Sequence, residues 1–268
     1  MATPSGIGLP TPPGFGKCGH CPLRETGTVQ FCYECAAQSF VVPGTSCCVI
    51  CSQRLVGQRC LNTLCNSTDR MFDRSHAIAM KTGALEEAIL RWKDHDRWAW
   101  GIIFARVLVG YLLENFAADP HDCIIPSPTF AEPGAAPQQD MTRFVIQQAI
   151  GHDHSGKLPF HLDPPLVIRM YATPKMRRQR NAAGRQVAAA ALRAALRVPD
   201  PALVAGRRIL VYDDVFTSGN TLNEVARALR NAGAAKVSQV ALSRQPWSAP
   251  AGDPAGATDT AGAPDLFT

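Results

Sequence analysis

The sequence predicts an α/β fold built on a parallel sheet, preceded by a small cysteine-rich module. Three observations carry that expectation. First, the last third of the chain reads as strand, helix, strand, with apolar strands at Arg208–Tyr212 and Lys236–Leu242 around a helix from Gly219 to Asn231. Two such strands joined by a helix imply a right-handed crossover in a parallel sheet. Second, nine of the ten cysteines fall between residues 18 and 65. Third, 46% apolar and 18% charged residues suit a globular chain with a core rather than a disordered one.

Taken in order, residues 1–17 are rich in Pro and Gly and are expected to be disordered. They have neither a basic start nor an apolar run, so no secretory signal is visible and a cytoplasmic protein is expected. Residues 18–68 form the cysteine module. Residues 76–245 form the α/β domain. There, Leu85, Ala88, Ile89 and Trp92 recur at helical spacing within Gly83–Lys93, and a longer helix covers Trp98–Phe116. The apolar stretch 99–118 contains Arg106 and Glu114 well inside it, which favours a buried helix over a membrane span. Cys123-Ile124-Ile125, stopped by Pro126, reads as a buried strand, and Pro165–Met170 as a further one. Gln186–Leu196 is Ala-rich and helical, ended by Val198-Pro199. Residues 246–268 contain no basic residue and read as a disordered tail.

The cysteines fall as Cys18-x2-Cys21, Cys32-x2-Cys35, Cys48-x2-Cys51 and Cys60-x4-Cys65. Two thiolates two residues apart reach one tetrahedral ion from a tight turn, so the eight make two closed four-cysteine sites, with Zn²⁺ the expected ion. Sequential ribbons leave ten and eight residues between paired knuckles; an interleaved cross-brace is also feasible. Cys47 is placed to substitute for Cys48. Cys123, in an apolar strand, reads as core. A closed site of four thiolates does no chemistry: it folds a region with little core of its own, or presents a surface to DNA or protein.

The chemistry-bearing motif is Ile209-Leu210-Val211-Tyr212-Asp213-Asp214-Val215-Phe216-Thr217-Ser218-Gly219-Asn220-Thr221-Leu222. A buried strand delivers two carboxylates at its C-terminal end, the edge at which open α/β sheets bind ligands. A loop of hydroxyl residues and one Gly then leads into a helix, whose first N–H groups and dipole suit a phosphate. Thr217, Ser218 and Thr221 add hydroxyl donors, and Gly219 lets the backbone approach. Two carboxylates beside a phosphate repel it unless they face ribose hydroxyls or Mg²⁺. The layout therefore specifies a phosphorylated sugar. Neither a Walker lysine loop nor a G-x-G-x-x-G after a strand is present.

Val211–Leu222 resembles the phosphoribosyl-diphosphate (PRPP) binding motif of type I phosphoribosyltransferases, in which apolar residues lead into two acids and a Thr-Thr-Gly-type loop. The chain more broadly resembles the ComF family, which pairs a cysteine cluster with such a domain. Ala84–Lys93, Ile124-Ile125-Pro126-Ser127-Pro128, Gly206-Arg207-Arg208 and Gly233–Val237 carry that likeness, which spans about residues 48–245. The resemblance implies a doubly wound sheet, with Asp213 and Asp214 on the ribose hydroxyls and Mg²⁺. It places Thr217, Ser218, Gly219, Asn220 and Thr221 on the 5′-phosphate, and the loop after Ile125, with Ser127, toward the diphosphate. It makes the second cysteine ribbon the family's own and the first an addition. An Arg-Gly-Phe-Asn-type segment is absent after Pro128.

Residues 169–185 hold Arg169, Lys175, Arg177, Arg178, Arg180 and Arg185 and no acid. This segment reads as a solvated loop, as a cover for diphosphate through Arg177 and Arg185, or as a nonspecific nucleic-acid contact. His152, Asp153, His154 and His161 read as an exposed loop, with a metal site or a base as the alternative. Two functions are expected from these features. One is phosphoribosyl transfer from PRPP to an unspecified acceptor with release of diphosphate. The other is non-catalytic binding of PRPP or a nucleoside 5′-monophosphate in DNA uptake or processing, with DNA or protein met through the zinc module or basic segment. Neither expectation involves a membrane.

Overall fold

The computed structural model describes residues 40–94, 99–132, 134, 140–174 and 182–246. Cys18, Cys21, Cys32, Cys35, Lys175, Arg177, Arg178 and Arg180 lie outside the described residues, as do residues 1–17 and the tail beyond Pro246.

Two apolar faces on each central strand dictate the architecture. In β5 (Arg208–Phe216) Ile209 and Val211 point to one side and Leu210 and Tyr212 to the other, all buried. Strands buried on both faces belong to parallel sheets covered by helices. β5 pairs in parallel with β2 (Cys123–Pro126) on one side and β6 (Lys236–Arg244) on the other, and β6 pairs with β1 (Ser75–Met80). The four-stranded order is β1-β6-β5-β2. Two short strands, β3 (Ile168–Arg169) and β4 (Leu196–Arg197), form a separate antiparallel pair. The expected strand over 165–170 shrinks to these two residues of β3, because neither Pro164 nor Pro165 has an N–H to donate.

Helices cover both faces. α1 (Gly83–Asp94), α2 (Ala99–Asn115) and α3 (Met141–His152) pack on the Leu210/Tyr212 side. α5 (Asn220–Asn231) packs on the Ile209/Val211 side, against α4 (Ala182–Ala195) and the cysteine module. α2 is long and apolar enough to cross a membrane by length and composition, but it is a core helix with ten buried residues between α1 and α3. Its Gly101 admits the close approach: a Cβ there would meet the Phe144 ring at 2.7 Å and Trp92 Nε1 at 3.4 Å.

Three differences from the sequence reading bear on the site. β1 and α3 are additional elements. α3 starts at Asp140, whose carboxylate caps it by accepting from Arg143 N at 3.1 Å, and it buries Val145, Ile146 and Ala149. His152 therefore ends a helix instead of lying in a loop. β5 runs four residues past Tyr212, because β6 extends to Arg244 and pairs with it through Phe216.

The helix after β2 goes to one face and the helix after β5 to the other. Adjacent parallel strands whose connections diverge leave a crevice beyond their C-terminal ends, the usual ligand position in open α/β sheets. Asp213 and the loop after Phe216 stand at that edge.

Candidate functional site

Asp213 and Asp214 lie in the paired part of β5, and their environments differ. Asp214, 9% exposed, forms an ion pair with Lys93 at the end of α1. Burial opposes its charge, but the Lys93 ammonium outweighs burial and holds the Asp214 carboxyl below the usual carboxylate range. Asp213 makes no direct ion pair among the described residues, although the Lys93 charge also acts to lower it. Burial and then the neighbouring Asp214 charge push it up to about 8. Its Oδ1 accepts from Asp214 N at 2.9 Å and its Oδ2 lies 3.5 Å from Gln239 Nε2. Gln239 is in turn oriented by Ser75, whose hydroxyl donates to Gln239 Oε1 at 2.8 Å. Lys93 thus favours the ionised form of Asp214, while burial and the Asp214 charge favour the protonated form of Asp213. The pair can accept donors such as sugar hydroxyls, and a further cation beside it would favour the ionised form of Asp213.

The loop Thr217–Gly219 follows directly. Thr217 is exposed, and Ser218, Asn220 and Thr221 are half-buried, so their polar groups remain within reach of solvent. Gly219 caps α5 at φ 88 and offers no side-chain oxygen to the first helical N–H groups. Among the described residues, the N–H groups of Thr217, Ser218 and Gly219 donate to no protein acceptor. Such a turn can hold an anion through backbone donors and the helix dipole.

Sequence reasoning missed Lys93, Gln239, Arg244 and Asn62 as parts of this arrangement. Arg244 ends β6 and donates from Nη1 to the carbonyls of Phe216 at 2.9 Å and Thr217 at 2.5 Å. The Ala84–Lys93 run was legible as a helix, but nothing in it points across the sheet to Asp214.

The diphosphate-side residues are not assembled in the same way. Ser127 is buried; its N–H donates to Tyr212 O at 2.7 Å and its carbonyl accepts the Thr142 hydroxyl at 2.7 Å. Arg185 is half-buried in the first turn of α4, and Arg169, at the end of β3, donates to Thr173 just beyond that strand. His161 bonds through its ring to Pro164 O at 2.7 Å. Burial, followed by the Arg106 and His154 charges, pushes His152 down to about 4. Among the described residues these histidines join no metal-ligating group. A cavity of about 360 Å³ lined by Asp73, Arg74, Ala118, Asp119 and Lys236 lies at the N-terminal end of the strands and contains none of these residues.

Cys48, Cys51, Cys60 and Cys65 come together, their sulfurs all within 4.8 Å of one another, as sequential pairing expects; Cys47 stays outside the group. A 3₁₀ turn, Thr63–Asn66, capped by Asn62, delivers Cys65. The thiols fit a cation. The Cys65 hydrogen bond draws Cys51 down to about 5, whereas burial and then the Cys51 charge push Cys60 up to about 11, and Cys65 is raised by donating to Cys51. A bound cation would stabilise the thiolate form of the ligating sulfurs. Zn²⁺ with four sulfurs suits this closed geometry. The expected second site, through Cys18, Cys21, Cys32 and Cys35, lies outside the described residues.

Comparison with known proteins sharpens this picture over part of the chain. No curated protein matches. Among solved structures, the allosteric regulatory enzyme of purine biosynthesis is 22% identical, covering 52% of this chain and 26% of that one, with a TM-score of 0.32. Glutamine PRPP amidotransferase from B. subtilis, complexed with ADP and GMP, is 19% identical over 52% of this chain and 24% of that one, with a TM-score of 0.28. PRPP synthetase from Mycobacterium smegmatis is 18% identical, covering 52% and 33%, with a TM-score of 0.28. This chain therefore spans only a quarter to a third of the length of those proteins. The family model described as phosphoribosyl transferase domain matches residues 172–251. That stretch contains β5, both acids, the loop, α5 and β6, and over it the chain is phosphoribosyltransferase-like.

Proposed function

We propose that this chain binds PRPP or a nucleoside 5′-monophosphate at the C-terminal edge of β5 and transfers the phosphoribosyl group, releasing diphosphate. The observation that carries this reading is the continuous run from Asp213-Asp214 to the open N–H groups of Thr217–Gly219 inside a matched phosphoribosyl transferase segment. Asp213 and Asp214 accept the ribose hydroxyls. Thr217, Ser218, Gly219, Asn220 and Thr221 hold the 5′-phosphate. The residues that would hold Mg²⁺ are the two acids, and the ion would screen the charge of the departing diphosphate. In transfer, the C1–oxygen bond to diphosphate breaks and its electron pair leaves with diphosphate. An acceptor nitrogen then bonds to C1 and loses its proton to solvent. A cytoplasmic setting belongs to this reading.

One observation favours a second reading, binding without turnover. Ser127 N–H is engaged by the Tyr212 carbonyl, so the first backbone donor of the β2 loop does not face a diphosphate. Here the chain is a nucleotide-binding accessory protein in DNA uptake or processing, as the ComF resemblance implies, with DNA or protein met through the cysteine module or the 169–185 segment.

Calorimetry with PRPP, with a nucleoside 5′-monophosphate and with the unphosphorylated nucleoside, followed by assay of diphosphate release with candidate bases, tests both. Binding that requires the phosphate supports the shared site, and diphosphate release selects transfer. No phosphate-dependent binding to the metal-loaded chain removes both readings.

A further inference from the structure

The loop proposed to hold phosphate rests on the cysteine module. Three successive carbonyls of that loop, at Phe216, Thr217 and Ser218, accept side-chain hydrogen bonds from beneath. Arg244 Nη1 serves the first two, and Asn62 Nδ2 donates to Ser218 O at 3.2 Å. Arg244 is 4% exposed and lies 4.8 Å over the ring of Phe216, which shares a buried cluster with Cys48, Cys51 and Cys65. Asn62 stands between Cys60 and Cys65, and its Oδ1 accepts from Leu64 N at 3.1 Å. Leu64 in turn abuts Gly219: a Cβ on Gly219 would lie 3.4 Å from Leu64 Cδ2 and 2.6 Å from Phe216 Cζ.

In a planar trans peptide the C=O and the following N–H point in opposite directions. Pulling the carbonyls of 216, 217 and 218 toward the module therefore turns the N–H groups of Thr217, Ser218 and Gly219 the other way, where they meet no protein acceptor among the described residues. Neither carbonyl anchor is a residue of the loop itself. One is set by the turn that carries Cys65, the other packs on Phe216 in the buried cluster that holds Cys48, Cys51 and Cys65.

We propose that the four-cysteine site is a positioning element for the anion loop, with Asn62 and Arg244 as the positioning residues. Metal held by Cys48, Cys51, Cys60 and Cys65 fixes the Asn62 turn and the face that Arg244 touches, and so keeps three backbone donors aimed outward. The proposal deepens the phosphate-binding reading and rests on it for its consequence, but the coupling of module to loop can be measured without any ligand.

The test uses the full metal-loaded chain and Asn62→Ser. Serine still caps the turn at Leu64 N but does not reach Ser218 O. Amide hydrogen exchange is followed in peptides covering 214–222, with those of α2 as the internal reference. The expected result is unchanged zinc content, faster exchange in 214–222 and unchanged exchange in α2, with the same selective change when zinc is chelated and its reversal when zinc is restored. In calorimetry, Asn62→Ser should bind a nucleoside 5′-monophosphate roughly 5- to 10-fold more weakly, the scale of one hydrogen bond. Exchange in 214–222 that is indifferent both to Asn62→Ser and to zinc overturns the proposal. Wild-type protein that fails to bind any phosphate ester overturns the functional reading instead, and the exchange result still decides the coupling.

Discussion

The loops that leave β2 and β5 end side by side at the same sheet edge, yet they dispose of their backbone groups in opposite ways. After β5, the carbonyls of Phe216, Thr217 and Ser218 are engaged by Arg244 and Asn62, and the following N–H groups are open. After β2, Ser127 donates to Tyr212 O and its own carbonyl accepts from Thr142. An anion needs donors, so the β5 loop is preorganised for one and the beginning of the β2 loop is not. Under the proposed function, this difference gives the β5 loop the monophosphate end of the ligand.

The sharpest way to break that comparison is to alter each loop once. Gly219→Val forces a side chain into φ 88 and into the Phe216 ring, and should abolish phosphate-dependent binding, more than about 100-fold, since a Cβ has no room there and the donors must move. Ser127→Ala should change PRPP affinity by less than about 2-fold, because an alanine keeps the backbone bond to Tyr212. Calorimetry on both variants decides it, and a larger loss at Ser127 would reverse the assignment.

Lys93→Met is expected to have the next largest effect. It strands Asp214 in a buried position, and losing one partner of such a pair costs about 3 kcal/mol in denaturant unfolding. Adding Asp214→Asn should restore most of that loss; additive destabilisation in the double variant would mean that the two side chains do not interact.

A smaller, pH-dependent effect belongs to Asp213. Its folded pKa, about 8, stands above the ordinary carboxylate value, so the folded state binds more protons than the unfolded one between about pH 4 and 8. Stability attributable to this group therefore falls as pH rises through that window and levels off above it. Asp213→Asn should melt progressively higher than wild type from pH 4 to 8, with a constant gap beyond. A gap that does not change with pH would place the proton elsewhere.

The strands at 123–126, 208–212 and 236–242, the helices over 83–93 and 219–231, and the second set of four cysteines were legible because each is a local pattern of period, cap or spacing. The helix over 141–152 was legible in principle, from Asp140 as a cap and Val145, Ile146 and Ala149 at helical spacing. β1 was not: its centre is only Ala-Ile-Ala, and it becomes a strand by pairing with β6. The acidic pair was readable as residues but not as unequal groups. Their inequality comes from Lys93, more than a hundred positions away in sequence, and only tertiary packing brings that ammonium into an ion pair with one carboxylate and not the other. Arg244 and Asn62 escaped for the same reason, since each acts on a loop that belongs to another element.

Titrating PRPP into wild type and into Asp213→Asn/Asp214→Asn by calorimetry tests the central claim most directly. The account predicts phosphate-dependent binding to wild type and at least a 10-fold loss in the double variant, the scale of losing two hydroxyl contacts, with zinc content and secondary structure retained. Equal affinities in the two proteins would contradict it.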